Sequence, residues 1–257
     1  MKAMHKIPDC LINPSHQVTV ALIGCGGTGS HAIGHLGAID TCLKTLGHPG
    51  IMVYAYDPDL ITEANKGRQR FSGADIGLNK AITLISRINR IQGSSWEGIP
   101  EYFTKDTHVP CNIYLSCVDN VKSRITISKI IKDKRDNHHF EPYKKPYYWM
   151  DFGNLKDTGQ VIIGTLSKIE QPKSKKYRFI EKLPIITEMF DLTQIDEKDT
   201  GPSCSAMEAL TKQNLFINPS LATLGCDLLW QMLSTGMTDK AGLFLNLKSM
   251  NVNPINI

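Results

Sequence analysis

Short apolar runs alternate with longer amphipathic segments along the first half of the chain. Residues 18–23 and 51–56 are apolar runs that are typical of buried strands. Between them, apolar residues recur at steps of three and four, which predicts a helix that stops at Gly47. Its predicted buried face is formed by Ala32, Leu36, Ile39, Leu43 and Leu46. Strand, helix and strand in this order indicate a parallel sheet with helical crossovers.

The pattern continues downstream of the second strand. Another helix is expected to begin near residue 80, with a buried face formed by Leu78, Ile82, Ile85 and Ile88. Residues 113–118 and 149–152 predict two more buried strands, and residues 243–247 close the fold. We therefore predict an α/β fold: a Rossmann-like, doubly wound, mostly parallel sheet with an antiparallel C-terminal extension. A single domain is expected to span residues 1–257.

The last long helix has its own start and stop signals. Asn218 is interpreted as its N-cap and Pro219 as its first helical residue, because both types favour those positions. Gly236 is expected to end it.

A glycine-rich turn joins the first strand to the first helix. Residues 24–30 read GCGGTGS and fit the pattern G-x-G-x-x-G. Glycines let the backbone approach phosphate, and the N-terminus of the following helix offers unpaired N–H groups to an anion. Asp57 ends the second strand, where an acidic residue usually holds a ribose hydroxyl. The pattern predicts a nucleotide site within residues 17–131, the first half of the domain, and leaves ATP, NAD and FAD open.

The polar residues that follow favour phosphate chemistry. Asn65 and Arg68 lie on the connection that leaves the second strand, and Lys80 begins the next helix. Fixed cations stabilise the charge that builds up on pyrophosphate when the α–β bond of ATP breaks. A dehydrogenase gains little from them. The simpler interpretation makes Asp57 and Asp59 turn residues and leaves the Arg and Lys as solvated charges.

Together these motifs resemble the ThiF/MoeB/ubiquitin-activating-enzyme superfamily. Its pattern is G-x-G-G-x-G-S, then D-x-D-x-V-x-x-x-N-x-x-R-Q, then a lysine, then an Asp-Asn pair after a later strand. The matching residues are Gly24, Gly26, Gly27, Gly29, Ser30, Asp57, Asp59, Asn65, Arg68, Gln69, Lys80, Asp119 and Asn120. The similarity covers residues 18–131 well, and 147–166 and 200–236 more loosely. The C-terminal part of the second half, residues 147–257, is most similar to ThiF-type proteins of bacterial PRTRC gene systems.

The resemblance implies an adenylyltransferase that uses ATP and Mg²⁺. Its substrate would be the C-terminal carboxylate of a small ubiquitin-like (β-grasp) protein ending in Gly. All the matching residues are implied to bind ATP, with Asp57 on the ribose and Asn65 on the phosphates. Arg68 and Lys80 are implied to be catalytic, on the departing pyrophosphate and on bridging phosphate oxygens. Asp119 is implied to be catalytic through Mg²⁺, a cation that prefers oxygen ligands, and it is also a candidate helix N-cap.

Two other functional classes stay open, and the resemblance also implies an assembly state. A NAD-dependent oxidoreductase on this fold and a nucleotide-binding scaffold without catalysis remain alternatives. A homodimer is implied by the resemblance. Relatives often carry an N-terminal Arg that reaches the partner subunit's ATP site, but no Arg precedes Gly24 here. Lys2, Lys6 and His16 are the candidate substitutes, and the alternative is that this contact between subunits is missing.

Cys204 is the candidate nucleophile. It lies in a P-x-C-S stretch before a predicted helix, whose dipole lowers a thiol pKa, and this stretch resembles the one that carries the transfer cysteine of ubiquitin-activating enzymes. It would take the acyl group from its adenylate as a thioester. The alternative is a capping loop in which Ser203 or Ser205 caps the helix.

The other cysteines suggest no metal and no disulfide. The chain has 7 cysteines and no C-x-x-C pair, so we expect no zinc. The odd number, with no signal peptide, favours a reducing cytoplasm. Four are interpreted as small buried hydrophobic residues: Cys25, Cys42, Cys117 and Cys226.

Charge and hydropathy exclude little else. The net charge of +4 is modest, and lysines cluster in residues 132–145 and 168–182. Both clusters are interpreted as solvated loops, with a docking surface for an acidic partner as the alternative. We expect no nucleic-acid partner. No apolar run is long enough to span a bilayer, so we expect no membrane segment.

Overall fold

Five adjacent parallel strands form one side of the main sheet of this protein. The structure is a computed structural model that describes residues 1–137, 140–192 and 213–257. The strands are β1 (Lys2–Lys6), β2 (Val18–Ile23), β3 (Ile51–Tyr56), β4 (Glu97–Ile99), β5 (Ile113–Ser116), β6 (Tyr148–Asn154), β7 (Thr158–Thr165), β8 (Tyr177–Phe179), β9 (Met237–Thr238), β10 (Lys240–Asn246) and β11 (Asn251–Asn256). The helices are α1 (Asp9–Ile12), α2 (Gly27–Thr45), α3 (Lys80–Gln92), α4 (Val121–Asn137), α5 (Ile186–Met189) and α6 (Ile217–Thr235).

The strand order places a switch point in the middle of the sheet. The order is β11-β10-β7-β6-β5-β2-β3-β4, and β4, β3, β2, β5 and β6 run parallel. From β2 the chain moves outward through β3 to β4, and it then returns to β5 on the other side. Ile23 pairs with Ser116, so the carboxyl ends of β2 and β5 lie side by side. Ligands of open α/β sheets bind at such a point.

The antiparallel part follows the parallel part on one side. β7, β10 and β11 extend the sheet beyond β6 by antiparallel pairing. The predicted fold class is therefore confirmed. A separate small sheet has the order β8-β1-β9.

Helices cover both faces of the main sheet. Val20 and Leu22 of β2 belong to a core that also contains residues of α1, α2, α3 and α6, whereas Ala21 and Ile23 belong to a core with residues of α4 and α5. This alternation is what a strand buried on both faces requires. None of the helices among the described residues has the length and apolar content needed to cross a membrane.

The predicted buried faces of α2 and α3 were partly wrong. Leu46 follows the end of α2 and is 66% exposed. Leu78 precedes α3 and is also exposed, as is Ile82. The buried apolar residues of α3 are Ala81, Leu84, Ile85 and Ile88. Ala81 faces the sheet because β4 packs against its backbone: a methyl group added to Gly98 would lie 2.9 Å from the Ala81 carbonyl.

Two further predictions from the sequence are corrected. Helix α6 begins at Ile217 with Phe216 as its cap, so Asn218 is a buried residue of the first turn rather than the N-cap. Gly236 ends α6 in the left-handed conformation, as predicted. Cys42 lies on the exposed side of α2, whereas Cys25 and Cys226 are buried as expected. Cys117 is partly buried against the core.

Candidate nucleotide site

The glycine turn packs tightly against the end of β5. Gly24 has a φ of 93°, and a Cβ there would lie 2.8 Å from the carbonyl oxygen of Cys117. A Cβ on Gly29 would collide with the carbonyl oxygen of Gly24. Among the described residues, the atom nearest to a Cβ on Gly26 would be Gln69 Nε2, at 4.0 Å. The turn thus leaves an open backbone cradle at the switch point, where helix α2 begins.

Asp57 fixes the geometry of this turn. Its Oδ2 accepts a hydrogen bond from the backbone N–H of Cys25 (2.6 Å), and its Oδ1 accepts one from that of Asp59 (2.9 Å). The side chain is buried at the end of β3, and burial raises the pKa of its carboxyl while the nearby Lys80 charge opposes that rise. Both carboxylate oxygens thus accept hydrogen bonds from backbone N–H groups, at the position where the sequence predicts a contact to ribose.

Lys80 opens helix α3 and reaches back to the same loop. Asn79 caps the helix by accepting from the N–H of Ile82 at 3.0 Å. Lys80 is 7% exposed, and its Nζ lies 2.7 Å from Asp59 Oδ2. A cation is therefore held below the surface beside the turn.

Arg68 has an unmatched donor. Its Nη1 donates to Gln213 Oε1 at 3.0 Å, while its buried Nε has no partner among the residues that the structure describes. Burial lowers the pKa of this guanidinium. The neighbouring Gln69 has a buried oxygen that no other described residue contacts by a hydrogen bond. Buried polar atoms are rarely left unpaired in native proteins, so this donor and acceptor fit a ligand that supplies both complements.

Asn65 and Ser30 support the loops around the site. Asn65 Oδ1 accepts from the backbone N–H of Thr62 at 2.9 Å in a capping box. Ser30 Oγ donates to the Gly27 carbonyl (3.1 Å) and accepts from the N–H of Arg70 (3.2 Å). Ser30 therefore ties the glycine turn to the segment that carries Arg68.

The Asp-Asn pair stands at the carboxyl end of β5. Asp119 is exposed, and its Oδ1 accepts from Asn120 Nδ2 at 3.0 Å. Asn120 Oδ1 accepts from the N–H of Ser123 at 2.7 Å, which makes Asn120 the residue that caps α4. Asp119 is thus not the N-cap, and its carboxylate is open to solvent.

Comparison with known proteins identifies the family. The family model described as "ThiF family" matches residues 15–253. This protein belongs to the ThiF family. No curated protein sequence is significantly similar to the chain.

Solved structures share the fold of this ThiF-family chain at low identity. One is PaaA, with 13% identity and a TM-score of 0.57, covering 94% of this chain and 64% of PaaA. Another is Escherichia coli MccB, with 15% identity and a TM-score of 0.59, covering 96% of this chain and 63% of MccB. A third is the same E. coli protein with ATP, at 15% identity and a TM-score of 0.56, covering 96% and 65%. The chain thus spans less than two thirds of the length of these proteins.

The structure brings most of the residues that match the ThiF-family motifs to one end of the sheet. The glycine turn, Asp57, Lys80 and the Asp119–Asn120 pair all lie at the carboxyl ends of β2, β3 and β5 or on the loops that follow them. Cys204 lies outside the described residues. Its predicted role as a nucleophile stays a prediction.

Several buried polar residues of the ThiF-family chain were missed by the sequence reasoning. Arg124 Nε lies 3.0 Å from Asp151 Oδ2, and its Nη2 donates to the carbonyls of Val118 (2.7 Å) and Phe152 (2.8 Å). This ion pair braces the loop between β5 and α4. An aspartate inside the apolar run 149–152 was the available signal.

Gln213, Asn218 and Thr28 form a second missed group beside Arg68. Nothing in the sequence distinguished Gln213 from other polar loop residues. Its role emerges only from the position of α6 against α2.

The fit of Mg²⁺ depends on Asp119. Among the described residues no group of three or more His, Cys, Asp or Glu side chains could hold a metal ion by itself. Mg²⁺ is commonly held by one or two carboxylates together with water and substrate phosphates, rather than by a protein cage. The exposed Asp119 carboxylate, at the switch point, fits that kind of site.

Proposed function

We propose that this protein adenylates the C-terminal carboxylate of a small ubiquitin-like (β-grasp) protein, with ATP as the second substrate and Mg²⁺ as cofactor. Membership of the ThiF family supports the reaction class. The observation that carries the proposal is the pairing of an open glycine cradle with two cationic side chains on its rim, Arg68 and Lys80. A nucleotide with a polyphosphate needs both features.

In the proposed reaction, the partner's carboxylate attacks the α-phosphorus of ATP. A bond forms between a carboxylate oxygen and that phosphorus, and the bond to the bridging oxygen of pyrophosphate breaks. The attacking group is already an anion, so no general base is needed. The negative charge moves onto the departing pyrophosphate, where fixed cations stabilise it without rearranging. The product is an acyl-adenylate.

Each residue has one task in this scheme. The glycine turn approaches the phosphates, and Asp57 contacts the ribose. Asn65 and Gln69 contact the nucleotide from the loop that carries Arg68. Arg68 and Lys80 stabilise the pyrophosphate. Asp119 would hold Mg²⁺, which neutralises phosphate charge when it is bound.

The carboxylate partner is inferred from relatives. Structures of E. coli MccB have been solved with MccA, and one describes the microcin C7 biosynthetic enzyme MccB in complex with N-formylated MccA. This supports a peptide or protein as the second substrate. The ubiquitin-like class, ending in Gly, rests on the superfamily resemblance, as does thioester formation on Cys204.

A homodimer is part of the proposal for the same reason. Of the candidate substitutes for the trans arginine, Lys2 is paired with Asp239 at 2.7 Å and Lys6 with Asp9 at 2.6 Å within one subunit. Light scattering of the purified protein at several concentrations would give the subunit number directly.

Calorimetric titration with Mg-ATP and, separately, with NAD tests the nucleotide assignment. We expect binding of Mg-ATP that weakens in Arg68→Ala and Lys80→Ala, and no binding of NAD. Lys129→Ala is the matched control, because Lys129 is exposed on α4. Binding of NAD without ATP would establish the oxidoreductase alternative instead.

Exchange of labelled pyrophosphate into ATP then tests catalysis. We expect exchange only when a β-grasp protein with its C-terminal glycine is present, and none with the same protein lacking that residue. ATP binding with no exchange across a panel of such proteins and peptides would leave a nucleotide-binding scaffold.

A further inference from the structure

A line of hydrogen bonds connects Arg68 to the glycine turn through two amide side chains. Arg68 Nη1 donates to Gln213 Oε1 at 3.0 Å, and Asn218 Nδ2 donates to the same oxygen at 3.2 Å. Asn218 Oδ1 in turn accepts from Thr28 Oγ1 at 3.0 Å. Asn218 is 4% exposed and Thr28 is 5% exposed, so this end of the line is buried between α6 and α2, whereas Gln213 and Arg68 are half-buried.

The direction of every bond in this line follows from Arg68. A guanidinium has donors and no acceptor, so Gln213 must present its oxygen to it. Asn218 must then present its nitrogen to that oxygen, which leaves its own oxygen for the Thr28 hydroxyl. Turning the Gln213 amide would place two donors face to face, and turning the Asn218 amide would place two acceptors face to face. The arrangement therefore has one consistent orientation, and this limits the positions open to the guanidinium.

The glycine turn is shaped to admit this line. A Cβ on Gly27 would lie 2.6 Å from Asn218 Nδ2 and 2.8 Å from its Cγ. Asn218 thus occupies the space that any other residue at position 27 would fill. The second glycine of the G-G pair, Gly27, therefore makes room for the amide that helps to hold Arg68 through Gln213.

Gln213 holds Arg68 without adding a negative charge. Within residues 1–137, 140–192 and 213–257, no carboxylate forms an ion pair with Arg68, whereas Lys80 is paired with Asp59. A glutamate at position 213 has the same shape, and its carboxylate would form an ion pair with the guanidinium at hydrogen-bond distance. That ion pair would neutralise the charge of Arg68. The uncharged amide keeps the cation available to a ligand, and in the described part of the chain no group pairs with the buried Arg68 Nε.

We propose that Gln213 and Asn218 are positioning residues that hold Arg68 at the glycine turn with its charge free for the polyphosphate of ATP. This inference rests on the proposed function, in which Arg68 contacts the pyrophosphate part of the nucleotide. It assigns the discrimination between ATP and AMP to the amide pair as well as to Arg68.

The test compares the affinity for Mg-ATP with that for AMP in charge and shape variants of Gln213. Calorimetry on the full chain gives both dissociation constants. Gln213→Glu is expected to weaken Mg-ATP binding by about tenfold or more, because a carboxylate competes with phosphate for Arg68. AMP, which lacks the pyrophosphate, is expected to change by less than about twofold. Gln213→Met, which removes the acceptor without adding charge, is expected to reduce the ATP-to-AMP preference by a smaller factor.

Two controls separate positioning from general damage. Gln17→Glu makes the same charge change at an exposed site before the amino end of β2, roughly 20 Å from the turn by strand length, and is expected to leave both affinities unchanged. In an Arg68→Met background, Gln213→Glu should have no further effect on Mg-ATP, because the two residues act as one unit.

The outcomes distinguish this inference from the proposed function. If the native protein shows no preference for Mg-ATP over AMP, the proposed function itself fails. If Arg68→Met reduces the preference and Gln213→Glu does not, only the positioning inference is overturned. If Gln213→Glu does not fold, an unchanged preference in Gln213→Met overturns it, and a reduced one supports it.

Discussion

Lys80 Nζ lies 2.7 Å from Asp59 Oδ2 in an ion pair whose two side chains differ in exposure. The lysine side chain is 9% exposed and the aspartate side chain is 60% exposed. Removing either partner therefore leaves very different residues behind. Without Asp59, a nearly buried ammonium has lost its counter-charge. Without Lys80, a mostly solvated carboxylate remains.

We predict opposite rankings of the two variants in stability and in nucleotide binding. Asp59→Asn should lower the free energy of unfolding by about 1–3 kcal/mol, because an unpaired charge below the surface is costly. Lys80→Met should lower it by less, because the Asp59 carboxylate left behind is hydrated and the buried Asp57 carboxylate keeps its two backbone hydrogen bonds. In Mg-ATP affinity, Lys80→Met should be the more damaging of the two. Urea denaturation and calorimetry measure the two quantities, and equal losses in both assays would contradict the assignment of Lys80 to the phosphates.

The order of elements was predictable because it depends on local patterns. The apolar runs 18–23 and 51–56 became β2 and β3 as predicted, and the glycine turn between β2 and α2 lies where its motif placed it. Motif spacing also placed Arg68 and Lys80 on loops or helix starts near the switch point. These features are specified by residues that are close in sequence.

The errors arose where a distant segment decided the outcome. Leu78 and Ile82 matched a helical spacing, yet both are exposed, and Ala81 is buried where its backbone packs closely against Gly98 of β4. Asn218 matched an N-cap followed by proline, but Thr28 and Gln213 hold it inside the first turn of α6. Pro219 is tolerated as the third helical residue, two positions later than expected, because N–H groups of the first turn have no partner within the helix.

The ion pair between Arg124 and Asp151 predicts a large effect on stability. Asp151 is 1% exposed, and Arg124 also donates to the carbonyls of Val118, just after β5, and Phe152, within β6. Arg124→Met should lower the free energy of unfolding by about 3–5 kcal/mol, because a buried carboxylate loses its counter-charge. Arg124→Lys should recover only part of this loss, since an ammonium lacks the planar fork.

Urea denaturation measures these changes, with Arg90→Met as the matched control on the exposed side of α3. A loss below about 1 kcal/mol in Arg124→Met, the level of an exposed ion pair, would show that the pair contributes little.

His31 predicts a loss of stability at mildly acidic pH. Its Nδ1 accepts from Arg70 Nε at 3.2 Å, so its Nε2 carries the proton that it shares with the Arg68 carbonyl at 3.2 Å. Burial lowers the pKa of His31, and the nearby charges of Arg70 and His35 lower it further, against the opposing effect of the Arg68 carbonyl.

The sign of the pH effect follows from this direction. The folded state binds fewer protons than the unfolded state between the two pKa values of His31, so acidification favours unfolding. Stability should be complete above the unfolded value of about 6.5 and fall as the pH drops through the folded value. Burial lowers the pKa of His5, His35 and His48 as well, which adds to the same trend.

Urea unfolding at pH 7, 6 and 5 measures this dependence. His31→Gln should give a shallower slope than the native protein, whereas His16→Gln, at an exposed site, should keep the native slope. Stability that rises on acidification across this range would contradict the prediction.

Two glycines of α2 should respond in opposite directions to alanine. At Gly34 a Cβ would meet nothing within 4 Å, so Gly34→Ala should raise the free energy of unfolding by about 0.5–1 kcal/mol through helix propensity. At Gly27 the added methyl would overlap Asn218, which is held by its bonds to Thr28 and Gln213. Gly27→Ala should cost about 1–3 kcal/mol through overpacking.

The clash can be isolated by removing its other half. Asn218→Ala vacates the space beside position 27, so Gly27→Ala should cost less in that background than in the native protein, and the two changes should not be additive. Thermal or urea unfolding of the four proteins completes the cycle. Additive losses would mean that Gly27 is required for a reason other than Asn218. A smaller cost of Gly27→Ala in the Asn218→Ala background would show that the glycine turn and α6 are packed to fit each other. Asn218, which makes this contact, also bonds the Gln213 oxygen that accepts from Arg68.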